Sequence, residues 1–178
     1  MRYFSELKFS MEWLGERPNT IFVGQTVGCP GTFMYPTLQG VDPIKRIEFP
    51  VNEQFQMQFT LGLALVGYVP ISVYPRQNFL LYGVGDLVNM LDKFPAICRK
   101  EIEPKFIIRV ATGPDKPTHP GHQHVGNYAK SLREMLTTID VIELEEPCDI
   151  MPAYKYAYER RDCKSTIIVE HGNYYNDK

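Results

Sequence analysis

Arg46-Ile47-Glu48-Phe49-Pro50-Val51-Asn52-Glu53-Gln54-Phe55 is the stretch from which the fold of this chain is read. Ile47 to Phe49 predicts a short strand, and Pro50 a turn. An apolar helix should follow, with one carboxylate, Glu53, in its first turn. A negative charge there is favoured by the partial positive charge of the helix start. The helix body (Phe55, Met57, Phe59, Leu61, Leu63, Ala64, Leu65 and Val66) is apolar on nearly every side, which calls for burial in the protein or in an interface. Glu53 would then sit at the edge of a dry environment, where a carboxyl resists ionising and can share a proton with a ligand. The plainer alternative is an acid that only favours the helix start.

Further runs rich in β-branched residues predict strands at Ile21 to Val23, Ile71 to Tyr74, Phe106 to Val110, Val141 to Leu144 and Thr166 to Val169. Helical spacing places an amphipathic helix over Phe4 to Leu14 (Phe4, Leu7, Met11, Leu14). It predicts others over Gly83 to Phe94, over Asn127 to Thr138, and from a cap at Asp149 through Arg160. Strands that alternate with helices, rich in Val and Ile and without strict alternation, point to an α/β fold. The expected form is a three-layer αβα arrangement, with a mainly parallel sheet and helices on both faces. The segment Ala111 to Gly126 is the long irregular connection, a kind of loop that often carries function.

At 178 residues, 44% hydrophobic and 22% charged, the chain reads as one soluble globular domain spanning 1–178. A net charge of −2 gives no electrostatic case for nucleic acid or anionic lipid. No apolar run reaches the roughly 18 to 20 residues a bilayer span needs. The start of the chain has no continuous signal-peptide core, so a cytoplasmic location is expected. Cys29, Cys98, Cys148 and Cys163 have no metal-ligand spacing and are expected as reduced thiols.

The motifs resemble those of the pyrimidine-binding domain of thiamine diphosphate-dependent enzymes, closest to the N-terminal domain of the β subunit of 2-oxo acid dehydrogenases. Arg46, Pro50, Glu53, Gly62, Ala64, Gly67 and Pro70 fall on that family's glutamate motif. Val23-Gly24-Gln25-Thr26-Val27-Gly28 is similar to its "G-E-D-V-G", with Gln25 in place of the acid. Asn78-Phe79 through Asp86-Leu87-Val88-Asn89 is similar to "F-x-x-x-A-x-D-Q-I-x-N", and Glu170-His171 through Tyr175 to the "E-H-x-x-L-Y" that closes the domain. The resemblance covers Met1 to Asn176.

The resemblance implies site residues. Glu53 would hydrogen-bond the aminopyrimidine ring nitrogen of thiamine diphosphate and favour its protonation. Phe79 would stack on that ring, with Leu81 and Tyr82 as neighbours along the wall. Gln25 would lie in the cofactor-binding loop. Three histidines, His119, His122 and His124, cluster in the long loop, and imidazole suits proton transfer near neutral pH. Gln123-His124 fits the family's "H-S-Q" histidine, though Val125-Gly126 follows it here. Pro117-Thr118-His119 instead resembles "G-P-T-H" of transketolase. A zinc site or solvent-exposed loop histidines are the alternatives.

The sequence has no "G-D-G" followed some thirty residues later by an asparagine, the motif that holds magnesium and the diphosphate. The expectation is therefore a subunit inactive alone, completed by a separate α-type diphosphate-binding chain that supplies the magnesium, in a homodimer or an α2β2 assembly. A non-catalytic binding protein that pairs with such an enzyme subunit, to redirect or inhibit it, is the second reading.

Overall fold

The computed structural model describes residues 2–177 apart from Lys100, Glu103 and Cys163. Its strands fall where the β-rich runs predict: β1 (Thr20–Gly24), β2 (Arg46–Glu48), β3 (Val69–Tyr74), β4 (Ile107–Thr112), β5 (Asp140–Glu143) and β6 (Thr166–His171). They form one sheet in the order β2-β1-β3-β4-β6-β5, and every pairing is parallel. A parallel sheet needs crossovers, and these lay helices on both faces.

Side-chain alternation divides the core. On one face, Leu7, Met11 and Leu14 of α1 (Tyr3–Gly15) and Ile150 and Tyr154 of a helix at Pro147–Glu159 pack on Phe22, Ile71, Ile107 and Ile168. On the other, Met57, Leu61 and Ala64 of α2 (Glu53–Leu65) and Leu132 of α3 (Ala129–Met135) pack on Tyr74, Ile108, Val110 and Ile167. The Pro147–Glu159 helix is α4. Successive residues of β4 and β6 thus serve opposite layers, and the αβα arrangement is established.

Within the α1–α4 face lies a buried charge cluster. Arg109 on β4 and Glu170 on β6 are fully enclosed. The guanidinium donates to both carboxylate oxygens, at 2.7 and 3.0 Å, and to the Tyr175 hydroxyl. The Tyr154 and Tyr175 hydroxyls donate to the same carboxylate. Burial first, and then the adjacent Glu170 charge, push both phenols well above their ordinary range.

Three sequence expectations are corrected. α4 begins at Pro147 rather than at a cap on Asp149, because proline fits the first helical turn, where no backbone N–H is needed. The helix expected over Gly83 to Phe94 is broken into a 3₁₀ turn at Leu81–Gly83, a short α turn at Val84–Asp86 and a π turn at Leu87–Leu91. Gly83, Gly85 and Pro95 interrupt its periodicity.

The third correction concerns α2, which is not apolar on nearly every side, while its exposed flank agrees with the interface alternative. Its inward face includes polar Gln56 and Thr60, both bonded to Ser72 of β3. Phe55, Leu65 and Val66 are exposed, and Val66 keeps 72% of its surface in solvent. Counting apolar residues alone passes over Gln56 and Thr60, which face the sheet.

Cys29, Cys98 and Cys148 are free thiols, and Cys163 lies outside the described residues. Among the described residues no helix is long and apolar enough to cross a membrane.

Candidate functional site

Strand order reverses at β1: the chain steps to β2 on one side and then to β3 on the other. In open parallel sheets a crevice opens at such a switch point, beyond the carboxyl ends of the strands. The segments that leave β1, β2, β3 and β4 there carry Gln25, Glu53, Phe79 and the histidine loop.

Glu53 is fixed from two directions. Asn52 caps α2, its Oδ1 accepting from the Phe55 N–H at 3.0 Å, which sets where the helix starts and so where Glu53 stands. Gln25 Nε2 then donates to Glu53 Oε1 at 3.1 Å, and among the described residues no hydrogen bond reaches Oε2. Only 9% of Glu53 remains exposed. Behind it, the Tyr74 hydroxyl approaches the Glu53 carbonyl, and burial drives that phenol above its usual range.

Gln25 reaches Glu53 because of its loop. Gly24 adopts φ +148°, and a Cβ there would lie 2.4 Å from the Val73 carbonyl oxygen, so only glycine lets β1 leave the sheet this close to β3. The Glu48 carboxylate accepts from the Thr26 and Gly28 backbone N–H groups at 2.7 Å each and holds the turn.

A second pair forms beyond β3 and β4. The His124 ring packs edge-on to Phe79, with centroids 5.5 Å apart and planes at 71°. Asn78, Phe79, Leu81, Tyr82, Gln123 and His124 line a cavity of about 450 Å³. Phe79 also walls a neighbouring cavity of about 460 Å³ that runs past Phe33, Arg76 and Pro117. His124 Nδ1 is buried and makes no hydrogen bond among the described residues. His119 and His122 are exposed and pack on each other instead, with centroids 5.3 Å apart.

The tripeptide Arg76-Gln77-Asn78 places His124 there, a role the sequence reading missed. Arg76 donates to the backbone carbonyls of Gly113 (2.9 Å) and His124 (2.8 Å), and burial lowers its pKa. Gln77 donates to Thr112 Oγ1 and accepts from the Tyr128 N–H, and Asn78 accepts from the Gly126 N–H. Both ends of the long loop are thereby tied to the first turn after β3. A polar triplet immediately after a parallel strand was the available signal.

The two pairs are joined through Gly83. A Cβ at Gly83 would stand 3.2 Å from the Glu53 carbonyl oxygen, so the turn carrying Leu81 and Tyr82 lies directly on the start of α2. Glu53 itself is not among the residues that line either cavity. The site therefore consists of a carboxylate at one side of a turn and an aromatic–imidazole cavity at the other.

No family model matches the chain, and no curated protein matches it by sequence. Among solved structures it is similar to one described as a split-gene transketolase, inactive β4 tetramer. The TM-score is 0.69 at 15% identity, over 94% of this chain and 50% of that one, so this chain spans about half the length of that neighbour. The likeness establishes a transketolase-like fold.

Proposed function

We propose that residues 1–178 act as the pyrimidine-binding, β-type subunit of a thiamine diphosphate-dependent enzyme of the 2-oxo acid dehydrogenase or transketolase kind. A separate α-type chain would supply the diphosphate site and magnesium. The observation that carries this reading is the nearly buried Glu53 carboxylate, oriented by Gln25 with its second oxygen uncommitted.

The cavity residues fit the faces and rim of an aminopyrimidine. That ring is flat and apolar on its faces and polar at its edge. The cavity offers Phe79 as a face and Asn78 and His124 as polar rim groups, with Glu53 behind the adjoining turn. Thiamine diphosphate, when bound, supplies the carbanion chemistry. Glu53 would hydrogen-bond the ring nitrogen and favour its protonation, and Gln25 would keep that carboxyl aimed. His124, with Nδ1 unpaired, is suited to exchanging a proton with the substrate. Arg76 keeps the histidine loop closed over Phe79.

The second reading, a non-catalytic chain that pairs with such an enzyme and redirects or inhibits it, draws support from the exposed apolar flank of α2. The structural neighbour is described as inactive as a β4 tetramer, so self-assembly on this surface without a completing chain would be a silent state.

Calorimetry tests the proposal. The purified chain should bind thiamine diphosphate weakly with magnesium, and tightly once an α-type chain is added. Tight magnesium-dependent binding by the chain alone contradicts the need for a partner. No binding in any α-type complex favours the non-catalytic reading.

A further inference from the structure

At the far side of the sheet, the carboxyl ends of β5 and β6 bring together Glu143, Glu145 and His171, with their ligand atoms all within 4.8 Å of one another. None of the three belongs to the site described above. His171 Nε2 lies 3.6 Å from Glu143 Oε1 and 3.2 Å from Glu145 Oε1. That nitrogen is buried, yet among the described residues it makes no hydrogen bond, so its approach to the two oxygens is not that of a donor.

We propose that His171, Glu143 and Glu145 bind one divalent transition-metal ion. Ligand arms of about 2.0–2.1 Å in a tetrahedral site place neighbouring donor atoms about 3.3 Å apart, and the two observed separations bracket that edge. One imidazole with two carboxylates at this spacing suits zinc first; manganese, which takes carboxylates but prefers six ligands, is the second candidate, ahead of calcium and magnesium.

The surroundings orient each ligand from outside. Arg133 donates to Glu143 Oε2 at 3.2 Å, and Tyr174 donates to Glu145 Oε2 at 3.2 Å, so the oxygen turned toward His171 is in both cases the other one, Oε1. Asn127 also donates to Glu143 Oε1 at 2.6 Å, which leaves that oxygen a further lone pair. The Tyr174 ring lies against the imidazole with centroids 4.8 Å apart, and the Tyr3 hydroxyl accepts from the His171 backbone N–H at 3.1 Å. Outer partners of this kind fix ligand orientation in metal sites. A cavity of about 150 Å³ lined by Thr112, Gly113, Asp115 and His171 adjoins the imidazole and leaves room for a coordinated water. The half-exposed Glu145 gives the ion a way in from solvent.

The test is calorimetric titration of the chelator-treated chain with zinc alone, repeated with manganese. The expected result is one saturable equivalent per chain for at least one of the two ions. Glu143→Gln and Glu145→Gln should each weaken binding at least tenfold, the range seen when groups supporting a metal are lost. His171→Ala should abolish it, and because that variant can also disturb packing, the surface variant Glu145→Gln decides if His171→Ala fails to fold. A His119→Ala/His122→Ala double variant should bind as the parent does. No saturable binding of either ion, undiminished binding in both glutamine variants, or loss in the loop double variant would overturn the proposal and leave the cluster an ion pair.

Discussion

Glu170 and Glu53 are both buried glutamates at the carboxyl ends of parallel strands or just beyond them, and the chain treats them in opposite ways. Glu170 has a guanidinium across both oxygens and two phenols besides, all from the same chain. Glu53 has one amide donor and an oxygen without a partner among the described residues. In the first, both carboxylate oxygens are bonded from within the chain, although Arg109 Nη1 is buried without a partner among the described residues, and the carboxylate's role is structural. The second leaves one carboxylate oxygen without a protein donor among the described residues, which is what the proposed contact with a ligand would need.

The largest effect that could break this contrast is on folding. Glu170→Gln should cost about 3–5 kcal/mol, because Arg109 would be left as an uncompensated buried charge. Urea denaturation measures it, and a cost below about 1 kcal/mol would mean that the cluster is not the internally bonded pair described here.

Asp92 sharpens the same point at a smaller scale. Its enclosed carboxylate accepts from the backbone N–H groups of Thr137, Thr138 and Ile139 and from the Lys93 ammonium. Burial alone would raise its pKa, but these donors hold it well below the usual carboxylate range. A depressed folded-state value stabilises the fold above the unfolded carboxyl pKa of about 4, and that contribution is lost as pH falls below it. Asp92→Asn should therefore cost about 2 kcal/mol at neutral pH, the order of one charge-assisted hydrogen bond. The penalty should shrink as pH is lowered from 5 toward 2, as followed by chemical denaturation at each pH.

Glu53→Gln should behave unlike either. With one side-chain hydrogen bond at stake and a near-isosteric replacement, stability should stay within about 1 kcal/mol of the parent. A loss comparable to that of Glu170→Gln would place Glu53 among the structural carboxylates.

A smaller effect belongs to assembly. Phe49, Phe55 and Phe59 form a ring cluster at the start of α2, centroids 5.0 to 6.1 Å apart, and Val51 before the helix and Val66 at its end are exposed. Exposed apolar surface of this sort favours self-association. Light scattering should show concentration-dependent oligomers for the parent and a shift toward monomer for Phe55→Ser/Val66→Ser, with little change in melting temperature. A strictly monomeric parent across the micromolar range would remove α2 as an interface.

Much of the frame was legible because it rests on local pattern. The β-rich runs fell on the strands, and the alternation of helix and strand gave the layers. The position of Glu53 followed from Pro50 and the onset of the helix. What was not legible depends on distant partners. That Gln25 bonds Glu53, that Gln56 and Thr60 turn inward onto Ser72, and that Arg76 anchors a loop 37 to 48 residues away are facts of tertiary contact. Periodicity carries no trace of them. The separation of His124 from His119 and His122 belongs to the same class: the resemblance favours His124, but the Arg76–Asn78 triplet is what brings it to Phe79.

The measurement closest to the central claim is hydrogen–deuterium exchange at the thiazolium carbon of thiamine diphosphate, in a complex of this chain with an α-type chain. Glu53→Gln keeps the shape of the side chain and removes its proton-holding carboxyl. Exchange should slow by at least about 10²-fold, as when a general acid–base group is lost, while subunit association stays unchanged. An exchange rate equal to the parent's would contradict the account and leave Glu53 as an acid that only favours the start of its helix.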